Sequence, residues 1–562
     1  MDNIEKQFND IQSYFNESKK YLLGKGKNIK LAVENYDNYY LKLNNIYVEL
    51  QKSYKDNENA LEIIKKTYIN HLTRLIKIYL LIPYFYKAKI LCEQLLNLDK
   101  DNIEIFPSYI KCLHHFKKYS LITEILNKIK EDDNNIIKNL KIQNEQRIKE
   151  SKGDYNLLNI YENFKKIKNY NLDLAQYMSQ KISIQQDKEK GLIIVAKEDI
   201  PKGEIIIAEK AIAFFPNLDK NLKNIKIEKE ERHNILKNKI KEKMLYCRED
   251  NPEIFEIYDG TNGNLSLEQR KDNYLKNILN KDINISEKTI STLFTDSFST
   301  SFYLYDQLLF SGYGLFYNSS FFSHSCCPNT MVYGIGDFIF VLTDRNIKQN
   351  EELTTFYVEN DKDYFERRAM LKNQYGFDCQ CELCKIEQKQ FEKYPEIKKK
   401  TCDWLPKIIN FSHNPNYYFY FPRIIKDVTE FLENNKDITI NHEKGLLYYN
   451  LYYLWVDYKT NHGLLEKALE CYDNEKNMDF NIMKYYCLLK MYKVDFVYKN
   501  NLCNDIKNRM LKLLKEAFGN KQNDYVEKIL DDIIKDNTSD DEPDIINFRE
   551  NKIFENFKEN YG

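Results

Sequence analysis

The chain has 562 residues, with 84 Lys and Arg against 85 Asp and Glu, so its formal net charge is −1. This length exceeds what one hydrophobic core supports and predicts about two to four domains. The near-zero charge excludes an overall basic field that would draw the protein to nucleic acid, and we predict no direct nucleic-acid binding.

The N-terminal residues contain neither the basic nor the apolar region of a secretory signal. The most apolar run, around residues 78–86, is flanked by Lys77 and Lys87, and it is far shorter than the roughly 20 residues of a membrane-spanning helix. We therefore expect a cytosolic or nuclear protein that is not secreted and does not bind membranes. In such a compartment, clustered cysteines indicate metal binding or catalysis rather than a disulfide framework.

Residues 1 to about 180 have helical periodicity. Ile105, Tyr109, Cys112 and Phe116 share one apolar stripe, which predicts an amphipathic helix. A preceding helical run at 86–98, joined to it by polar residues, completes a pattern that resembles a tetratricopeptide (TPR) unit. A generic helical bundle fits the pattern equally well. We expect a helical-repeat domain that can contact protein partners.

The periodicity changes after a polar joint at residues 185–190. β-branched residues predict strands at 192–196 and 205–208, separated by a turn. Residues from about 217 to 290 are charged and predict a helical insertion. A hairpin follows, with strands at 331–333 and 338–342. After residue 385 the helical pattern returns and continues to residue 562.

A cysteine cluster lies just before this last helical region. Cys379, Cys381 and Cys384 place three thiols within six residues, and such a loop can supply three of the four soft ligands that Zn²⁺ binds in a tetrahedron. The alternative is three free thiols in a loop. The candidates for a fourth ligand, which must come from a distant segment, are His324, Cys326 and Cys327.

At these motifs the sequence resembles the SET-domain lysine methyltransferases, and within them the SMYD-like branch. The matching segments keep the family's order and spacing, and they are Gly191–Leu192 with Ile200–Glu204, Ser323–Asn329, Asn350–Tyr357 and Phe377–Cys384. The resemblance covers about residues 181–385. The MYND zinc finger that is usual in this branch is absent, because the insertion contains a single cysteine, Cys247.

The resemblance implies a multi-domain α+β protein. Its centre, residues 181–385, would be a β-rich SET domain with a pseudo-knot, in which the 323–329 segment passes beneath another loop, and with a post-SET zinc loop at its end. TPR-like helical domains would flank it at residues 1–180 and 386–562.

The resemblance also implies transfer of a methyl group from S-adenosylmethionine to a lysine of a histone or non-histone protein. Tyr357 matches the catalytic tyrosine, and Phe302, Tyr357 and Tyr375 would form an aromatic channel for the lysine. The implied zinc ligands are Cys326, Cys379, Cys381 and Cys384. The implied cofactor-binding residues are Lys190, Gly191, Thr300, Ser323, His324, Tyr357 and Phe377.

Four positions depart from the family pattern. Thr300 and Ser323 replace asparagines whose amides would hold the cofactor, and each loss would cost about 1–3 kcal/mol of binding if it leaves unsatisfied groups. Glu189 replaces a glycine. Asn350 also replaces a glycine, a mild change because asparagine tolerates positive φ. The alternative function is therefore a SET and TPR-like scaffold that binds protein partners without methyl transfer.

Overall fold

The structure is a computed structural model. It describes residues 2–538 except 24–27, 101, 130–134, 168–169, 217–228, 247, 258–264, 273–284, 296–297, 300–311, 359–361, 413–419, 438–439, 455–456, 475–480 and 499–501. None of the described helices combines the length and the apolar composition that crossing a membrane requires.

The N-terminal region is built from helices that pack through tyrosine-rich faces. Its helices, α1 to α9, are Asp2–Asn9, Gln12–Leu23, Ile29–Ser53, Glu58–Leu81, Phe85–Leu98, Phe106–His115, Tyr119–Lys128, Asn135–Glu150 and Leu157–Ile167. The long helices α3 and α4 begin at Asn28 and Asn57, whose side chains accept backbone hydrogen bonds from Leu31 and Ala60. These N-caps satisfy donors that the first turn leaves without helical partners.

The helices of this region end at Ile167, earlier than the helical pattern up to residue 180 predicted. Tyr177 and Met178 instead form strand β1, which pairs with residues 207–208. The following strands, β2 to β11, are Ile182–Asp187, Gly191–Ala196, Ile205–Lys210, Ala213–Pro216, Phe298–Ser299, Gly312–Leu315, Ser323–His324, Thr330–Ile335, Phe338–Thr343 and Thr354–Thr355.

The predicted polar joint is wrong for residues 185–187. They belong to β2, which pairs antiparallel with β3 from Ile182 opposite Ala196 to Asp187 opposite Gly191. Pairing with a β-branched neighbour satisfies their backbone groups, so an exposed polar segment becomes a strand despite its composition.

The central sheet has the strand order β1-β4-β10-β9, and its pairs are antiparallel. Every residue of β9 and β10 is buried, because both faces of the sheet are covered. One face packs within the β-rich centre through Ile339 and Val341, and the other packs against C-terminal helices through Tyr333 and Phe340.

The remaining helices lie in the predicted insertion and after the strands. The insertion contributes α10, Lys229–Tyr246, and α11, Glu287–Thr295. The later helices, α12 to α20, are Tyr364–Tyr375, Glu382–Lys393, Pro395–Ser412, Phe421–Asn434, Asn441–Leu451, Tyr458–Asp473, Asn481–Val497, Cys503–Phe518 and Asn523–Asn537. The protein is thus multi-domain α+β, with a β-rich centre between mostly helical regions, as predicted.

Candidate functional site

Two chain segments that are distant in sequence, residues 323–329 and 350–357, lie side by side. Strand β8 pairs in parallel with β11, so that Ser323 lies opposite Thr354 and His324 opposite Thr355. The backbone N–H of Ser325 extends this pairing by donating to the Thr355 carbonyl at 3.1 Å. Parallel pairing of such short strands cannot come from a hairpin, and it places the 323–329 segment directly against the 350–357 segment.

The side chain of Asn329 joins these segments from the inside. It is 2% exposed, and its amide nitrogen donates to Glu351 Oε1 at 2.9 Å and to the Glu352 carbonyl at 2.8 Å. Its amide oxygen accepts the Thr354 N–H at 2.8 Å. An amide offers both donors and an acceptor, so a single side chain can satisfy backbone groups of the neighbouring segment.

Strand β3 lies on the other side of residues 351–353. The Leu353 N–H donates to the Ile194 carbonyl at 2.8 Å, and Lys190, just before β3, forms an ion pair with Glu352 at 2.5 Å. Gly191 has φ +81°, a conformation that disfavours other residues. The start of β3 thus contacts the paired segments through the Lys190–Glu352 ion pair.

Tyr357 follows β11 at the centre of an aromatic group. Its hydroxyl donates to the Phe322 carbonyl at 2.6 Å, and its backbone N–H donates to Nδ1 of His324 at 3.0 Å. Its ring centroid lies 4.8 Å from that of Tyr375 and 6.3 Å from that of Phe377. The His324 and Phe377 centroids are 6.2 Å apart. These four rings define a half-buried aromatic wall beside β8.

Two of these rings, Tyr375 and Phe377, lie at the C-terminal end of helix α12. The helix begins at Asp363, whose carboxylate accepts the N–H groups of Phe365 and Glu366, and it ends at Gly376 with φ +79°. A left-handed glycine reverses the chain at a helix end. This reversal places Tyr375 and Phe377, on either side of it, next to Tyr357.

The thiols of the cysteine cluster converge behind this wall. The four sulfur atoms lie within 4.8 Å of one another, and those of Cys326 and Cys384 are 3.6 Å apart. Zn–S bonds of 2.3 Å in a tetrahedron require sulfur–sulfur distances of about 3.8 Å, so the donor set fits Zn²⁺. The members of this thiol cluster are Cys326, Cys379, Cys381 and Cys384.

The cluster distinguishes among the candidates for a fourth ligand. Cys326 is a member, whereas neither Cys327 nor His324 belongs to it. His324 instead approaches Cys326 Sγ through Nε2 at 3.3 Å. Hydrogen bonds from neighbouring thiols, that of Cys326 first, lower the pKa of Cys379 and bring the pKa of Cys381 down to about 7.

Arg367, on α12, is completely buried beside the thiols. It forms an ion pair with Glu387 of α13, and its Nη1 donates to the Lys362 carbonyl at 2.7 Å. Burial alone would lower the pKa of Arg367, but the Glu387 carboxylate and the Cys326 thiol hold it well above its usual value. The guanidinium therefore remains a cation next to the thiol cluster.

The SET domain family model matches residues 191–358. The chain contains a SET domain. The matched range includes the paired segments and Tyr357, whereas three members of the thiol cluster follow it in the chain.

The SET domain is similar to several curated proteins over short stretches. A putative SET domain-containing protein of Acanthamoeba polyphaga mimivirus is 42% identical over 89 residues, which are 16% of this chain and 34% of that protein. The histone-lysine N-methyltransferase SMYD3 of Homo sapiens is 32% identical over 100 residues, which are 17% of this chain and 23% of that protein. The matches thus span about a quarter to a third of these relatives.

A solved structure, that of the SET domain of LSMT bound to lysine and AdoHcy, aligns with 66% of this chain and 99% of that chain. The identity is 12% and the TM-score is 0.22.

The structure brings most of the predicted site residues of the SET domain together. His324, Tyr357, Tyr375 and Phe377 form the aromatic wall, and Ser323 lies in β8 beside it. Thr300 and Phe302 lie outside the described residues. The residues that sequence reasoning missed are Glu209, Asn329 and Arg367. For Glu209 a signal existed, since it is the only acid in its strand and directly follows four apolar residues, 205–208.

Proposed function

We propose that this protein is an S-adenosylmethionine-dependent protein-lysine N-methyltransferase acting on a histone or non-histone protein. The observation that carries the proposal is the Tyr357 hydroxyl, held by the Phe322 carbonyl within an aromatic wall of a SET domain. The names of curated relatives, among them histone-lysine and N-lysine methyltransferases, support the same activity. The proposed location is the cytosol or the nucleus.

The residues present fit the cofactor, since an imidazole and an aromatic ring face each other at its proposed site. S-adenosylmethionine would supply an electrophilic methyl group. His324 and Phe377 would hold the adenine, and Lys190 and Gly191 would contact the methionine end. Ser323 and Thr300 would complete this side, with fewer amide contacts than the family pattern has.

The channel residues would prepare the lysine for attack. Tyr357, Tyr375 and Phe302 would surround the side chain, exclude water and tolerate its positive charge by cation–π contact. Desolvation lowers the pKa of a lysine amine, so these residues would favour the neutral amine, which is the form that can accept the methyl group. The Tyr357 hydroxyl and the Phe322 carbonyl would place their own oxygen atoms near the positive charge that develops on the amine.

The thiol cluster would hold a structural Zn²⁺. Four protein ligands leave no open position for catalysis. By joining Cys326 to the 379–384 loop, the metal would fix Phe377 and Tyr375 relative to β8. We propose that the helical domains, residues 1–180 and 386–562 with TPR-like organisation, select the protein substrate.

Replacing Tyr357 tests the proposed activity. Tyr357→Phe should lower turnover by about 100-fold or more, because it removes one preorganised oxygen from the site, while the affinity for S-adenosylmethionine stays within about twofold. Transfer of labelled methyl groups to lysate proteins measures turnover, and calorimetry measures affinity. The exposed Tyr420→Phe is the matched control. Equal losses of turnover and affinity in Tyr357→Phe would show that its role is misplaced.

A scaffold function is the alternative, and Ser323 supports it because this position beside the wall lacks the family's amide. In that case zinc-loaded protein would release no heat when titrated with S-adenosylmethionine. It would still bind its protein partners.

A further inference from the structure

We propose that Glu209 is a positioning residue for methyl transfer. Its carboxylate holds the turn that sets the Phe322 carbonyl against the Tyr357 hydroxyl. This inference rests on the proposed function, and it concerns a residue that lies outside the aromatic wall and the thiol cluster.

The Glu209 carboxylate receives hydrogen bonds from two consecutive residues. Oε1 accepts the backbone N–H of Asn318 at 2.8 Å and its side-chain amide at 3.1 Å. Oε2 accepts the backbone N–H and the hydroxyl of Ser319, both at 3.2 Å. Glu209 is only 2% exposed, so these contacts replace water as its hydrogen-bonding partner.

The residues that Glu209 holds lead directly to Tyr357. Asn318 and Ser319 begin a 3₁₀ turn that ends at Phe321, and the N–H of Phe322 donates to the Ser319 carbonyl at 3.3 Å. The Phe322 carbonyl then accepts the Tyr357 hydroxyl. A continuous series of hydrogen bonds therefore connects the Glu209 carboxylate to the tyrosine proposed to be catalytic.

Glu209 lies on an inner strand of the central sheet. It belongs to β4, which lies between β1 and β10 in the central sheet, where its backbone is opposite Ile339. Sites supported by a buried strand hold their geometry better than sites supported by loops alone. The turn at 318–321 is thereby tied to a strand more than 100 residues earlier in the chain.

The contacts require a carboxylate rather than an isosteric amide. Four donors converge on two oxygens, and only an ionised carboxyl accepts at both. Glutamine has the same shape, but its NH₂ group would face the donors of either Asn318 or Ser319. Glu209→Gln thus separates the role of the charge and the acceptors from the role of volume.

Titratable groups from neighbouring elements surround this carboxyl. Lys117 approaches from the loop after α6, and Tyr317 precedes the turn. Glu253, in the 3₁₀ turn at 252–255, and Glu256, directly after that turn, face Tyr317. Burial raises the pKa of Glu209 to about 7, although the Asn318 and Ser319 hydrogen bonds oppose this rise. Protonation below that pH converts one acceptor oxygen into a donor, so the positioning should weaken as the pH falls through about 7.

The test compares full-length wild type, Glu209→Gln and Glu253→Gln. Glu253 is the matched control, because its Oε2 has no hydrogen-bond partner among the described residues. Hydrogen exchange of the peptide that covers residues 318–322 needs neither cofactor nor substrate. We expect the exchange rate of this peptide to be about tenfold higher in Glu209→Gln than in the wild type. In Glu253→Gln the rate should be unchanged. Ser319→Ala, which removes one of the four bonds, should give a smaller increase in the same peptide.

Methyl transfer to lysate proteins, with S-adenosylmethionine as the donor, is the second measurement. In Glu209→Gln, kcat should fall by about 10- to 100-fold with little change in KM for the cofactor, and the wild-type loss of kcat around pH 7 should be absent. Faster exchange with unchanged kcat would overturn the inference, as would unchanged exchange. A wild type that transfers no methyl group would instead overturn the proposed function, and the inference with it.

Discussion

Cys326 and Cys327 are neighbours in the chain, yet only Cys326 joins the thiol cluster. The short pairing of β8 with β11 orients the 323–329 segment, so that Cys326 is buried while Cys327 is partly exposed. The two thiols therefore form a matched pair for testing the metal site.

Cys326→Ser should release Zn²⁺ and lower the unfolding temperature, because a structural site that loses one of four thiolates loses much of its binding free energy. Cys327→Ser should keep the metal. Zinc content after gel filtration, measured by mass spectrometry, checks both, and Cys381→Ser should behave like Cys326→Ser. Unchanged zinc in Cys326→Ser, or its loss in Cys327→Ser, would contradict the proposed ligand set.

Two departures from the family pattern have a clear structural outcome. Asn350 has φ +66°, the left-handed conformation that asparagine tolerates better than most residues, so its replacement of a glycine is mild, as predicted. Glu189 is exposed, and its N–H donates to Asp187 Oδ1 at 2.8 Å within a turn. The turn before β3 therefore forms without the glycine.

At the scale of elements, the insertion caps a helix of the N-terminal region. Helix α5 has no side-chain cap of its own. Instead, Asp250 accepts the N–H of Phe85 at 2.8 Å and that of Tyr86 at 2.6 Å. His115 stacks on Phe85 with centroids 4.2 Å apart and bonds to the Asp250 carbonyl. The contact thereby connects two regions that are separate in sequence.

Asp250→Ala should lower the free energy of unfolding by about 1–2 kcal/mol, as loss of a helix cap does. Glu249→Gln is the control, since glutamine can still accept the Tyr84 hydroxyl. Urea denaturation measures both. Equal effects of the two substitutions would show that Asp250 is not a specific cap.

The same substitution should alter the pH dependence of stability. Burial raises the pKa of Asp250 from 3.8 to about 7, so the folded state retains a proton that the unfolded state releases. Its contribution to stability therefore falls as the pH rises from about 4 to 7. The difference in unfolding free energy between wild type and Asp250→Ala should therefore become smaller between pH 5 and pH 8. A difference that becomes larger would contradict the raised pKa of Asp250.

At the scale of the whole molecule, buried ion pairs connect the thiol cluster to the C-terminal helices. Glu387 pairs with Arg367 and lies 3.8 Å from His442 of α16. Next to it, Lys398 of α14 pairs with Glu443, whose pKa is raised by burial. Arg367, Glu387, His442 and Glu443 line a cavity of about 20 Å³, which is large enough for one water molecule.

Removing one charge from this network should be costly. Lys398→Ala leaves Glu443 buried without its cation and should lower the free energy of unfolding by about 3–5 kcal/mol. The exposed pair of Lys372 and Asp378, at 57% and 47% side-chain exposure, is the control, and Lys372→Ala should cost less than about 1 kcal/mol. Chemical denaturation compares them.

The double substitution Lys398→Met with Glu443→Leu distinguishes the effect of an unpaired buried charge from the effect of altered packing. It should recover much of the loss caused by Lys398→Ala, because no buried charge then remains unpaired. A double variant as unstable as Lys398→Ala would show that packing rather than charge determines the stability of this contact.

Local patterns were enough to predict strands at 192–196, 205–208, 331–333 and 338–342, each of which lies within an observed strand. They also revealed the three closely spaced cysteines and the motifs of the SET domain. Strand periodicity and short spacings depend on residues that are close together in the chain, so they can be predicted from the sequence. Contacts between distant residues are not. Residue spacing alone left His324, Cys326 and Cys327 open as the fourth ligand, and the family resemblance rather than any local pattern implied Cys326. The parallel pairing of residues 323–324 with 354–355 arose on folding, as did the placing of Glu209 and Asp250 against backbone N–H groups far away in the chain. A buried carboxylate takes whichever donors the packed chain brings to it, and periodicity does not record those donors.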